Sequence, residues 1–239
     1  MTKAQKILAF DTAMGGCSAA FYDTDRAHAT ALSEPMARGH AERLVPMIQS
    51  VLETAGSSFD AIDSLVTTVG PGAFAGLRIG LSTARALGLA LGKPVIGVTT
   101  LAALAAAFFD QRSLEPTRTL CVLVETKRSD FYVQLFSSDN IPLHAPQARP
   151  AEDILAGFPD TKNTIIIGDG APRFCALFPE ESLTVAEGFS LPDPTVMARL
   201  SLAQDNHGLC SARPLYLRDA DVSRPKNAPR ILCDDQRYL

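Results

Sequence analysis

The stretch Ile7-Leu8-Ala9-Phe10-Asp11-Thr12-Ala13-Met14-Gly15-Gly16 decides the fold, because its pattern returns later in the chain. Four consecutive apolar residues ending on an acid and a threonine read as a buried strand with its polar end at a turn. Met14-Gly15-Gly16 supplies the turn, and Cys17 to Tyr22 runs back as a second strand. Further on, Cys121-Val122-Leu123-Val124-Glu125-Thr126 is again an apolar strand closed by an acid and a threonine. A turn from Lys127 to Asp130 follows, and then a strand from Phe131 to Phe136. Asp11-Thr12 falls on Glu125-Thr126 without a gap. Two readings fit: two unrelated hairpins, or two copies of one hairpin-led unit.

Working outward, apolar residues at Leu44, Ile48, Val51, Leu52 and Ala55 predict a helix from about Gly39 to Ala55, with Gly56 as its stop. Leu65 to Val69 reads as a strand, and Gly70-Pro71-Gly72 breaks the chain. A helix follows from about Gly76 to Leu91, closed by Gly92 and Pro94. Val95 to Val98 reads as a strand and Thr100 to Phe109 as an alanine-rich helix. Later come a strand at Thr164 to Ile167, closed by Gly168-Asp169-Gly170, and a helix from Asp193-Pro194 to about Gln204, ended by Gly208. Strands alternating with helices of this length predict an α/β fold. If the repeat is real, duplication of such a unit gives a two-lobed actin-like fold of the sugar-kinase and Hsp70 type, with ligands held between the lobes. The expected division is 1–104 plus 191–221 for the first lobe, 105–190 for a smaller second lobe, and 222–239 as a loosely held tail.

Size and charge narrow the function. With 239 residues, and roughly 150 per domain as a guide, one large or two small domains are expected. Such a chain buries about 70–75% of its unfolded surface and needs no disulfide or metal to fold. The net charge is −4, and no basic run stands out beyond Lys127-Arg128 and Arg224 with Lys226. A protein gripping nucleic acid alone shows a basic footprint, so any RNA is expected to be held mainly by a partner. The cysteines at 17, 121, 175, 210 and 233 are scattered and never form C-x-x-C, which fits neither a disulfide framework nor a zinc knuckle. The apolar run Leu87 to Leu91 falls far short of the ~20 residues of a bilayer span. No membrane association and a cytoplasmic location are the expectation.

Most catalytic signatures are missing: there is no G-x-x-x-x-G-K-[ST] loop, no G-x-S-x-G elbow and no H-E-x-x-H. Gly70-Pro71-Gly72 with Gly76 has the wrong spacing for a dinucleotide fingerprint, and the proline removes an amide that such loops use. The histidines at 28, 40, 144 and 207 lack partners at i+3 to i+5, and His40 beside Glu42 suits the first turn of a helix. Asp11, with Thr12, stands where an actin-like ATPase keeps its magnesium-linked acid. Yet Thr12-Ala13-Met14 intervenes before the glycines that would wrap phosphates, so capping of the turn is the competing reading.

The segment from Gly70 to Leu91 is the most informative. Gly76, Gly80, Ala84 and Gly88 recur every fourth residue and predict a small-residue groove along one helix face. Each such glycine costs ~1 kcal/mol relative to alanine, so close packing must repay it. Only Arg78 and Arg85 are charged, and the leucines cover nearly all sides, which predicts burial all round. A core helix fits. So does a subunit-facing helix presenting Arg78, Ser82, Arg85 and Leu89.

Several of these segments resemble the bacterial TsaB (YeaZ) family. They are Ile7 to Ala13, His40-Ala41-Glu42-Arg43-Leu44-Val45-Pro46, the block from Val69-Gly70-Pro71-Gly72 through Gly97-Val98, and the late Pro214-Leu215-Tyr216-Leu217-Arg218. The match covers most of the first lobe and leaves the second only loosely similar. The resemblance implies an actin-like fold and a role in forming N6-threonylcarbamoyladenosine beside the anticodon of ANN-reading tRNAs. It implies a non-catalytic subunit that supports the related transferase TsaD, joined by an ATPase, TsaE, with tRNA met only through the complex. The helices near 40–55 and 76–91 would pair with TsaD or with a second copy of the chain as a homodimer. They would use Val45, Ile48, Gln49, Leu52, Arg78, Leu81, Ser82, Arg85 and Leu89.

The catalytic relative carries H-x-x-x-H after its G-K-P-[LV]-I-G-V, two imidazoles one turn apart for a metal. Here Thr100 and Leu104 stand at those positions and supply no imidazole, so no metal, catalytic residue or cofactor is expected. A nucleotide at the subunit boundary remains open. The alternative from a different class is an active phosphotransferase using Asp11 and Glu125.

Overall fold

The computed structural model describes residues 4–203 and 208–218. In chain order the elements are β1 (Lys6–Asp11), β2 (Gly16–Asp23), β3 (His28–Pro35), α1 (His40–Thr54), β4 (Ser64–Gly70), α2 (Phe74–Leu91), β5 (Val95–Thr99) and α3 (Thr100–Gln111). Then come β6 (Thr119–Glu125), β7 (Asp130–Phe136), β8 (Gln147–Pro150), α4 (Ala151–Ala156), β9 (Thr164–Ile167), α5 (Ala171–Leu177), β10 (Thr184–Val185), α6 (Pro194–Leu200) and β11 (Leu209–Ser211). The first sheet is ordered β11-β5-β4-β1-β2-β3 and the second β10-β9-β6-β7-β8.

The two sheets repeat one plan. β1 pairs antiparallel with β2 and parallel with β4. β6 pairs antiparallel with β7 and parallel with β9 in the same way. The helices follow suit, with α1, α2 and α3 standing in the first half where α4, α5 and α6 stand in the second. This shared topology decides between the two readings of the recurring strand: the hairpins are equivalent parts of a duplicated two-lobed actin-like fold. Asp11 ends β1, as Glu125 ends β6.

The alanines of α3 have a steric reason. The helix touches β4 and β5 of one sheet and β6 and β7 of the other, and it packs on α6. Thr100 to Phe108 are all buried, and small side chains let one helix fit between two layers. The helix at 194 is shorter than its periodicity suggests, ending at Leu200, and the expected end at Gln204 lies outside the described residues. The expected tail, 222–239, also lies outside them. Asp193 caps this helix by accepting from the Thr195 and Val196 amides at 2.7 and 3.2 Å.

α1 sets Leu44, Met47, Ile48, Val51 and Leu52 into a core with Leu8, Phe10 and Phe21. Arg43 Nε donates to Glu34 Oε2 at 2.7 Å and ties the helix to β3.

α2 is 18 residues long and apolar enough by length and composition to cross a bilayer, a test that the core helix of a soluble protein also passes. It corrects one expectation, because it is not buried all round. Gly76, Leu77, Gly80, Leu81, Ala84 and Gly88 face inward against β4 and its surroundings, and the opposite side is open. The glycine stripe therefore serves this chain's own packing. A Cβ at Gly76 would lie 2.0 Å from Thr12 O, and one at Gly88 would lie 2.5 Å from Val95 Cγ2.

Candidate functional site: a sealed turn and an exposed two-helix face

Asp11 and Thr12 do not line an opening. Asp11 is 2% exposed, and one carboxylate oxygen accepts from the Thr68 hydroxyl and from the Ala13 amide. Burial pushes its carboxyl from 3.8 up to about 6, against the opposing pull of those donors. Thr12 Oγ1 donates to Gly76 O at 2.7 Å, and the Ala73 amide donates to Ala13 O at 2.7 Å. A Cβ at Gly72 would lie 2.4 Å from Ala13 O. The start of α2 thus sits directly on the turn that would have to wrap a phosphate, and its glycines are what permit this. A cleft of about 360 Å³ lies among Leu32, Ala107, Gln111 and Phe189 to Asp193. Another, of about 70 Å³, is lined by Lys6, Asp23 and Ser57 among others, and neither includes Asp11 or Thr12.

The equivalent turn of the second lobe is also committed to structure. Arg173 forks onto Glu125, with Nε to Oε2 at 2.6 Å and Nη2 to Oε1 at 2.8 Å. Burial acts to raise the Glu125 carboxyl, yet the Arg173 guanidinium and the Lys127 amide hold it below the usual range. Asp169 Oδ1 accepts the Glu125 amide at 2.9 Å, and burial with the nearby Glu125 charge lifts Asp169 to about 6. Both acids of the phosphotransferase alternative are thereby spoken for, one sealed and one paired.

Thr100 and Leu104 are fully buried on α3, with Leu104 in the apolar core. Among the described residues no three His, Cys, Asp or Glu side chains gather as metal ligands.

The nine residues expected at a partner interface divide in two. Ile48, Leu52 and Leu81 are 0, 2 and 4% exposed and form this chain's own core, which corrects their placement on the docking surface. Their periodicity is the same for core and interface, so spacing alone does not separate the two. Val45, Gln49, Arg78, Ser82, Arg85 and Leu89 lie on the open side. Leu89 is 87% exposed, an unusual position for a leucine in a folded chain.

Two residues of this face escaped the sequence reading. Phe74, 52% exposed, lies under the Arg78 guanidinium at 3.8 Å, and its ring is 5.6 Å from that of Tyr216, which is 45% exposed. The Tyr216 hydroxyl is 3.5 Å from Arg78 Nε. An aromatic four residues before an arginine at a helix start was a readable signal for the first pair. Nothing local announces the contact with Tyr216, which arrives from the far end of the chain.

Fold and site together define a two-lobed actin-like protein whose first turn is closed by its own helix and whose α1–α2 layer is open. A family model described as TsaD, tRNA N6-adenosine threonylcarbamoyltransferase, matches residues 32–140. The chain is 41% identical over 100 residues to the Escherichia coli tRNA threonylcarbamoyladenosine biosynthesis protein TsaB, covering 42% of each chain. It is 26% identical over 231 residues to the Haemophilus influenzae protein of that name, covering 89% of this chain and 93% of the other. A tRNA N6-adenosine threonylcarbamoyltransferase of Erythrobacter litoralis is 33% identical over 222 residues, covering 87% of this chain and 61% of the relative. The chain thus spans less than two thirds of the length of two of these relatives. The solved structure of YeaZ from Pseudomonas aeruginosa superposes with a TM-score of 0.74 at 24% identity, covering 89% of this chain and all of the other. The chain is thus similar to proteins named TsaB, to one of them over most of its length, and shares the fold of YeaZ.

Proposed function

We propose that this protein is a non-catalytic subunit in the formation of N6-threonylcarbamoyladenosine in tRNA. In this reading it docks on a TsaD-type transferase through the open side of α1 and α2 and stabilises that subunit's active arrangement. The observation that carries the reading is the exposed face itself. Val45, Phe74, Leu89 and Tyr216 leave apolar surface in water, framed by Arg78 and Arg85. Aromatic residues with arginine are what protein–protein hot spots are made of. The names of the relatives supply the pathway, and the sealed Asp11 turn supports a supporting rather than a bond-making role. A TsaE-type ATPase would join the pair, tRNA would be met through the complex, and the reaction would take place in the cytoplasm. A second copy of the chain would compete for the same face, giving a homodimer when TsaD is absent.

The test is Leu89→Glu and Ser82→Arg in the full chain, measured by size-exclusion chromatography with purified TsaD and by modified-base yield in a reconstituted reaction. Both substitutions fall on the water-facing side and should leave the fold intact. Loss of the complex and of most of the yield is expected. An unchanged complex and an unchanged yield would overturn the assignment of this face.

A further inference from the structure

The chain that leaves β11 crosses from the first lobe to the second. The Leu215 amide donates to Val69 O at 2.7 Å, which fixes the segment beside the end of β4. Arg85 Nε donates to Ala212 O at 3.1 Å and holds it along α2. Tyr216 then stacks on Phe74 and meets Arg78. Two residues later, Arg218 forms an ion pair with Asp130, the first residue of β7, and lies 6.0 Å from the Tyr132 ring. The two ionic side chains are 27% and 12% exposed, so water screens the pair only in part.

Asp130 does not stand alone at the far end. Its Oδ1 accepts from Thr126 Oγ1 at 2.9 Å, and its carbonyl accepts from Arg173 Nη2 at 2.8 Å. Arg173 in turn grips Glu125 and covers the Phe131 ring at 3.7 Å. An unbroken line of contacts therefore runs from the start of α2, through Tyr216 and Arg218, to the turn between β6 and β7.

We propose that residues 209–218 form an interlobe strap that couples the exposed α2 face to the β6–β7 turn of the second lobe. Tyr216 seated on Phe74 and Arg78 keeps Arg218 on Asp130, and Arg218 held by Asp130 keeps Tyr216 on its platform. Such coupling is reciprocal, so whatever seats on the platform also restrains the second lobe. The inference goes beyond the proposed partner role and stands without it, because both ends of the strap belong to this chain.

Hydrogen exchange on the full-length protein tests the coupling, using Tyr216→Ala and Arg218→Gln with circular dichroism as the check on folding. Tyr216→Ala should speed exchange across Thr126 to Asp130 by roughly fivefold, although its own ring contacts are with Phe74 and Arg78. Arg218→Gln should speed exchange at Leu77 and Arg78 to a similar degree, and Arg218→Lys, which keeps the charge, should restore much of the protection. Asp130→Asn should reproduce the Arg218→Gln effect from the other side of the pair. If each substitution alters exchange only around its own position, the strap does not couple the lobes and the proposal fails.

Discussion

Asp11→Asn isolates the cost of the sealed turn. The side chain is nearly inaccessible, and burial raises its carboxyl from 3.8 to about 6. Between those values the folded protein keeps a proton that the unfolded chain releases. Stability is therefore highest below pH 3.8 on this account and is lost as pH rises through about 6. At about 1.4 kcal/mol per tenfold change in protonation equilibrium, the full loss is roughly 3 kcal/mol. About 2 kcal/mol of it develops between about pH 4.5 and pH 7.5. Asparagine retains an oxygen to accept from Thr68 and Ala13 and carries no charge to strip of water. The difference in stability between native and variant protein should move toward the variant by about 2 kcal/mol over that pH interval. Urea unfolding is the assay, followed by circular dichroism because the chain has no tryptophan. Groups common to both proteins, Asp169 among them, cancel in the difference. A pH-independent difference would show that Asp11 does not carry this burden and would reopen its reading as a ligand-facing acid.

The remaining predictions concern packing and pairing. Gly76→Ala places a methyl 2.0 Å from the Thr12 carbonyl, so it should lower unfolding free energy by about 3 kcal/mol or more, read from a urea titration. Arg173→Gln leaves the Glu125 carboxylate without its fork. It should cost about 1–3 kcal/mol at neutral pH and less in high salt, which denaturation at two ionic strengths would show. Leu89→Glu, by contrast, should change the stability of the free chain by no more than about 0.5 kcal/mol while abolishing the proposed complex.

How much of the site could be read in advance differs from residue to residue. The block Gly70 to Gly80 announces a tight approach, because helical glycines persist only where a side chain has no room. Sequence does not say what approaches: the answer is the chain's own Thr12 and Ala13 turn. Arg78, Ser82, Arg85 and Leu89 lie on the water-facing side as their spacing suggests, whereas Ile48, Leu52 and Leu81 have turned into the core. An apolar stripe looks the same whether it meets its own sheet or a second chain, and only the position of the sheet separates the two.

By itself, the sequence determined the alternation of strands and helices, the hairpin that opens each half, and the lack of an imidazole pair at Thr100 and Leu104. These are local matters, set by polarity along a strand, by turn residues and by which donor atoms a side chain owns. Tertiary structure alone decided that the two hairpins are equivalent, since equivalence lies in the order and direction of sheet neighbours far apart in the chain. It alone decided which face of α2 is open and that Tyr216 and Arg218 span the lobes. Those outcomes depend on which surfaces meet when apolar area leaves water, and no window of neighbouring residues contains that information.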